Sequence, residues 1–281
     1  MKRLIVNADD FGLHAAVNQG IRDANSGGIV TSTSLMAGGA AFDEAVAIAR
    51  DCPELGVGVH LTLVAARPVA PASAVASLVD GEGNFCASYP VFLRRYLQGT
   101  VKRAEVEREL AAQVEKVTRA GIRPTHLDSH QHLHVVPGIS AIVLDLARRF
   151  AIPAVRIPAE PLGFFGGMSP SVGRVVGRSG LTVLAGLFRR RALAAGLKAP
   201  EHFFGMLAGG QLDETALQNI LQQLPAGTSE IMCHPGRPDA ALARQYSWDY
   251  HWSDELAALC APQTRRLLQE NGVRLISFRE L

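Results

Sequence analysis

The sequence predicts an α/β fold, a parallel barrel of seven or eight strands. Three observations carry that reading. Short apolar runs alternate with amphipathic stretches from end to end, the mark of strands joined by helical crossovers. Nearly every predicted strand ends in a polar side chain suited to chemistry. A barrel explains this, because its strand ends share one mouth, whereas an open sheet shares a crevice only between neighbours. The length of 281 residues fits one barrel domain spanning 1–281 better than two smaller units.

Leu4-Ile5-Val6 reads as the first strand, running to Asp9-Asp10. Val17, Ile21 and Ala24 have helical spacing, and Gly27-Gly28 stops that helix. Residues 31–36 form a second strand, Ala45, Val46 and Ala49 a second helix, and 56–61 a third strand ending at His60. Residues 63–89, rich in Pro, Gly, Ala and Ser, read as a long excursion. A charged helix over 101–120 buries Val106, Leu110, Val114 and Val117. A fourth strand begins at 124–127, a helix covers 139–150, and Ala154-Val155-Arg156 is the fifth strand. Residues 161–198 form an apolar and basic insertion of one or two helices, interrupted near Gly177 or Gly180. A weak strand over 202–206, a helix through Leu217 and Leu221, and a strand at Ile231-Met232-Cys233 follow. One helix over 253–271 precedes a possible eighth strand at 274–278.

Composition excludes several classes. A 48% hydrophobic chain with 19% charged residues has ample core. A net charge of +2 gives no basic field for nucleic acid, and 6% aromatics argue against a single-strand stacking platform. Four cysteines without a CxxC pair read as reduced thiols of a cytoplasmic protein. No signal peptide or spanning segment is expected.

The polar residues point to a metal-assisted reaction. Adjacent carboxylates at Asp9-Asp10 repel unless a cation or proton intervenes. If one binds a metal, the other is free as a base; a plain loop or helix-cap pair is the alternative. Four of nine histidines, His126, His130, His132 and His134, crowd into 125–134, and each ring needs a partner. Period-two geometry over part of this run would put 130, 132 and 134 on one side. His130 reads as a ligand, His132 as a support for the ligands or a substrate contact, and His126 and His134 as structural. Asp128 reads as a supporting carboxylate. Arg156 either holds Asp9, binds a substrate carboxylate or makes a plain ion pair. His234, lifted by Pro235-Gly236 just after a strand, suits an acid or base at a cleft.

At these residues the sequence resembles the YdjC family of carbohydrate deacetylases. The likeness rests on Asn7-Ala8-Asp9-Asp10-Phe11-Gly12, Val30-Thr31-Ser32-Thr33, Gly58-Val59-His60-Leu61, Thr125-His126-Leu127-Asp128-Ser129-His130 and Met232-Cys233-His234-Pro235-Gly236, in that order. It runs from residue 3 to about 280 and is greatest to the hopanoid biosynthesis-associated members. The resemblance implies hydrolysis of an acetamido sugar on a barrel related to polysaccharide deacetylases, in a homodimer. It implies Asp10, His60 and His130 as ligands of one divalent ion, Asp9 as base and His234 as acid. Two imidazoles and a carboxylate suit Zn, Fe, Co, Ni or Mn; the resemblance keeps Mg open.

The stretch between Glu160 and Gly210 is more apolar and basic than a soluble disaccharide substrate requires. It can be a packing or dimer helix, rest on an anionic inner membrane face, or form a lip over a lipid-linked sugar. The expected substrate is an N-acetylglucosamine-type group on a hopanoid glycolipid. Alternatives are soluble chitooligosaccharides such as diacetylchitobiose, another metal-assisted hydrolysis such as that of a phosphoester, and a non-catalytic lipid or sugar carrier.

Overall fold

A computed structural model describes residues 1–166 and 171–281. Met168, one of the apolar residues of the insertion, lies outside the described residues. In chain order the elements are β1 Lys2–Phe11, α1 Ala15–Ser26, β2 Ser32–Leu35, α2 Phe42–Asp51, β3 Gly56–Leu61, α3 Tyr89–Leu97, α4 Arg103–Arg119, β4 His126–Ser129 and α5 Ile139–Arg149. The second half adds β5 Ala154–Val155, α6 Val172–Ala194, β6 His202–Phe204, α7 Glu214–Gln222, β7 Gly227–Cys233, α8 Ala240–Gln245, α9 Trp252–Cys260, α10 Pro262–Glu270 and β8 Val273–Leu275.

All strand pairs are parallel, in the order β5-β4-β3-β2-β1-β7-β6. β1 is the hub. One edge pairs with β7 from Lys2 opposite Gly227 to Ala8 opposite Cys233. Its other edge is shared, with β8 beside Lys2, Arg3 and Leu4 and β2 beside Asn7, Ala8 and Phe11. The outer strands approach one another through a parallel bridge between Ala154 of β5 and Lys198, just before β6. The rolled sheet therefore brings the C-terminal ends of β1, β3, β4 and β7 to one mouth, as the alternating pattern predicts. Leu4, Val6 and Ala8 of β1 are buried, with the apolar faces of α1, α2, α4 and α5 packed outside.

Three segments differ from the sequence reading. The 130–134 run is not extended past Ser129; it forms a 3₁₀ turn over His130–Val135, with Gln131 and His132 at φ 54° and 57°. The insertion forms a single helix, α6, with no break at Gly177 or Gly180. Each glycine weakens a helix by roughly 1 kcal/mol. Tertiary contacts outweigh that cost: Ala185, Phe188 and Ala192 bury against the body, and the buried Arg178 guanidinium donates to the carbonyls of Pro161, Leu162 and Phe164. The C-terminal helix is two helices, because Ala261 is extended and Pro262 starts a new one.

One close approach fixes β3 against β4. A Cβ on Gly58 would overlap the ring of His126, which stacks on Phe278 with centroids 3.7 Å apart. Gly58→Ala is expected to lower stability by about 1–3 kcal/mol, the usual range for overpacking a tight core. A urea unfolding midpoint equal to that of the wild type would contradict this packing.

Candidate functional site

A regular strand alternates its side chains between faces, so neighbouring Asp9 and Asp10 should point apart. A register irregularity between Ala8 and Phe11 and the left-handed backbone of Asp10, φ 64°, redirect the second carboxylate at the mouth. Both carboxylates are buried. On β3 and β4, His60 lies in register with Asp128. His60 Nδ1 is 2.9 Å from Asp128 Oδ1, an arrangement that orients the imidazole and leaves Nε2 facing Asp10 Oδ1 at 3.4 Å. His130 leaves the end of β4 and places Nδ1 2.9 Å from the same Asp10 oxygen.

Asp10, His60 and His130 thus offer one oxygen and two nitrogens within 4.8 Å of one another. Asp10 Oδ2 and His130 Nε2 are buried without a hydrogen-bond partner among the described residues. Two imidazoles, a carboxylate and unpaired donor atoms fit a divalent cation. Burial works against charge on Asp10, yet His130 and His60 hold its carboxyl well below the usual range. Burial also disfavours a charged His60, but Asp128 and Asp9 push it up to about 10. The pocket is therefore built to hold positive charge. A second grouping, Asp9, His60 and Asp128, has similar spacing. There the cation's place is already taken by Arg156.

Arg156 follows β5 and is wholly buried. Its two terminal nitrogens donate to Asp9 at 2.6 Å each. Nη1 also lies 2.8 Å from Asp128, and Nε donates to Glu230 at 2.7 Å. Arg156 thus pairs with three carboxylates, Asp9, Asp128 and Glu230. Asn7 donates to Asp9 and to Ser34, and Ser34 donates to Asp128, so Asp9 and Asp128 are tied by neutral side chains as well as by Arg156. Burial raises Glu230 to about 7 against the pull of Arg156. Asp128 is held well below the usual range, Arg156 and His60 overcoming its burial.

A cavity of about 620 Å³ opens on this cluster. Asp9, His60, His130, His132, His234 and Tyr250 line one end; Val176, Leu181 and Leu184 of α6 form an apolar wall. His234 enters just past β7. Its backbone N–H donates to buried Glu255, and its Nδ1 is 3.9 Å from that carboxylate. Gly236 packs so closely on Gly20 of α1 that a Cβ there would collide with its backbone, which fixes the turn after His234. His126 and His134 are structural, with burial pushing them down to about 3 and about 4. His134 bonds Ser129 and the Arg156 carbonyl.

Sequence reasoning missed Glu230, Glu255 and an aromatic run. A glutamate inside the apolar Glu230-Ile231-Met232-Cys233 stretch was a readable sign of a buried partner. Tyr246, Trp248, Tyr250 and Trp252 recur at every second residue, a pattern also visible without coordinates.

The family described as YdjC-like protein matches residues 3–270. A carbohydrate deacetylase of Geobacillus stearothermophilus is 35% identical over 277 residues, covering 98% of this chain and 96% of its own. One of Brevibacillus brevis is 35% identical, with 99% of each chain covered. One of Mus musculus is 32% identical, covering 99% and 94%. Among solved structures, an Enterococcus faecalis V583 protein described for cellobiose-phosphate cleavage superposes with a TM-score of 0.79 at 29% identity, covering 99% of this chain and 98% of its own. With the cluster of Asp10, His60 and His130 at the mouth of a parallel barrel, and a match over nearly the whole length, this chain belongs to the YdjC-like family.

Proposed function

We propose that this protein is a metal-dependent hydrolase that removes the acetyl group from an N-acetylglucosamine-type sugar. The observation that carries the reading is a division of labour within one cavity. Asp10, His60 and His130 form a ligand set, while Asp9 and His234 line the same space outside it. A non-catalytic sugar or lipid carrier has no need of a separate base and acid beside its metal. The carbohydrate deacetylases among the relatives support the same chemistry.

A divalent cation held by Asp10, His60 and His130 supplies polarisation of the acetyl carbonyl and acidifies water. The donor set favours a Zn-like ion over Mg. Arg156 holds Asp9 by two hydrogen bonds, aligned to accept the proton of the attacking water. His234 donates to the departing amine, because an unprotonated amine is a poorer leaving group than the oxygen it competes with. Glu255 accepts from the His234 backbone N–H and so holds the chain that carries the ring, with its carboxylate 3.9 Å from Nδ1.

The finer substrate reading is a lipid-linked amino sugar, as expected of the hopanoid biosynthesis-associated type, HpnK. Supporting it, the apolar wall of the cavity continues outward along α6 into exposed Val172, Val183 and Leu187, with Arg190 and Arg191 further along. Among the described residues no helix is long and apolar enough to cross a membrane. An exposed apolar face ending in arginines suits peripheral contact with an anionic surface. The same face would pack against a second copy in a homodimer. Soluble diacetylchitobiose is the competing substrate.

Asp10→Ala is expected to lose the metal, and Asp128→Asn to weaken metal binding about 10–100-fold through loss of His60 orientation. His234→Ala should keep the metal while acetate release falls about 10²–10⁴-fold. Metal analysis alongside an acetate assay separates these outcomes, and a fully active His234→Ala enzyme would overturn the acid role. Anionic vesicles should co-sediment the wild type and not Val183→Asp/Leu187→Asp; equal retention of both would remove the membrane reading.

A further inference from the structure

The aromatic run after α8 is not explained by the chemistry above. Tyr246, Trp248, Tyr250 and Trp252 follow one another with ring centroids 4.8, 5.5 and 5.5 Å apart. Burial is graded along it: Trp252 is buried, whereas Tyr250, Trp248 and Tyr246 are partly open. The inner end touches the acid, with Tyr250 4.7 Å from His234. Trp248 lies 5.0 Å from the ring of His130. Large half-open aromatic rings beside a polar cluster leave apolar area in water unless a ligand covers it.

The segment is held, not draped. His251 N–H donates to the Gly210 carbonyl at 2.7 Å, and Gly236 N–H to the Trp252 carbonyl. Gln211 donates to the Asp249 carboxylate at 2.9 Å and accepts from Arg174 of α6. Asp249 has φ 59°, a conformation unfavourable for a non-glycine residue that such contacts must maintain. Gly210 is bare where a Cβ would strike the Tyr250 ring. These contacts fix the backbone that carries the rings before any ligand arrives, which lowers the cost of recognition.

We propose that Trp248 is the platform on which the acetamido pyranose stacks, fixing the sugar beside His130. A gluco-configured ring carries its hydroxyls around the equator and presents C–H bonds on both faces. It therefore matches a flat ring of negative electrostatic potential, while its polar rim stays free for the cluster. Tyr250 continues the surface towards His234. This proposal rests on the amino-sugar reading and deepens it by naming what recognises the ring.

The chain has two tryptophans, which makes the test direct. In a His234→Ala background, where turnover is slow, octyl N-acetyl-β-D-glucosaminide is titrated while tryptophan emission is followed. A saturable change is expected, retained in Trp252→Phe and lost in Trp248→Phe. In the otherwise native enzyme, Trp248→Ala should raise KM at least 10-fold, with Trp248→Phe restoring most of it and metal content equal in all three proteins. Unchanged KM in Trp248→Ala, or an emission change that survives Trp248→Phe, would overturn the platform, even with acetate release intact. Saturable Trp248 emission without acetate release from the native enzyme would support the platform and remove the deacetylase reading instead.

Discussion

A guanidinium with no path to water governs the interior of this barrel. Arg156 needs opposite charge on every side, and Asp9, Asp128 and Glu230 supply it from β1, β4 and β7. Stripping such a group of water costs several kcal/mol per ion, so removing a single carboxylate would leave an uncompensated charge. The knot therefore sets the spacing of three strands. It also commits the oxygens of its members: Asp128 turns one to His60, and both oxygens of Asp9 accept from Arg156 while the residue lines the cavity. Scaffold and chemistry share the same atoms.

Recognition is placed elsewhere. The strand ends carry the charged cluster, while the apolar wall comes from α6 and the aromatic surface from the segment after α8. α6 is the crossover between β5 and β6, whereas the aromatic segment lies in the longer stretch between β7 and β8. Specificity in such a barrel can change by altering these attachments, because the rigid sheet holds the reacting groups independently of them.

The parallel strands and the gathering of Asp9, Asp10, His60, His130 and His234 were legible, because buried parallel strands read as apolar runs and their ends as polar breaks. The left-handed turn at Gln131 and His132 was not, since positive φ is uncommon for any non-glycine residue and two in succession are not signalled by residue type. The continuity of α6 was hidden because two glycines look like a break, and only the burial of Phe188 and the bonds from Arg178 show why they are not. Arg156 left three roles open, because an arginine after a strand does not reveal which carboxylates surround it.

The pairing of β1 has a consequence for the birth of the chain. Within this chain β1 is made before β7 and β8, its partners along Lys2, Arg3 and Leu4. Until then its edge is an unsatisfied ladder with an apolar face. Closing this side of the sheet therefore waits on pairings between the two ends of the chain, the long-range kind that is slow to form.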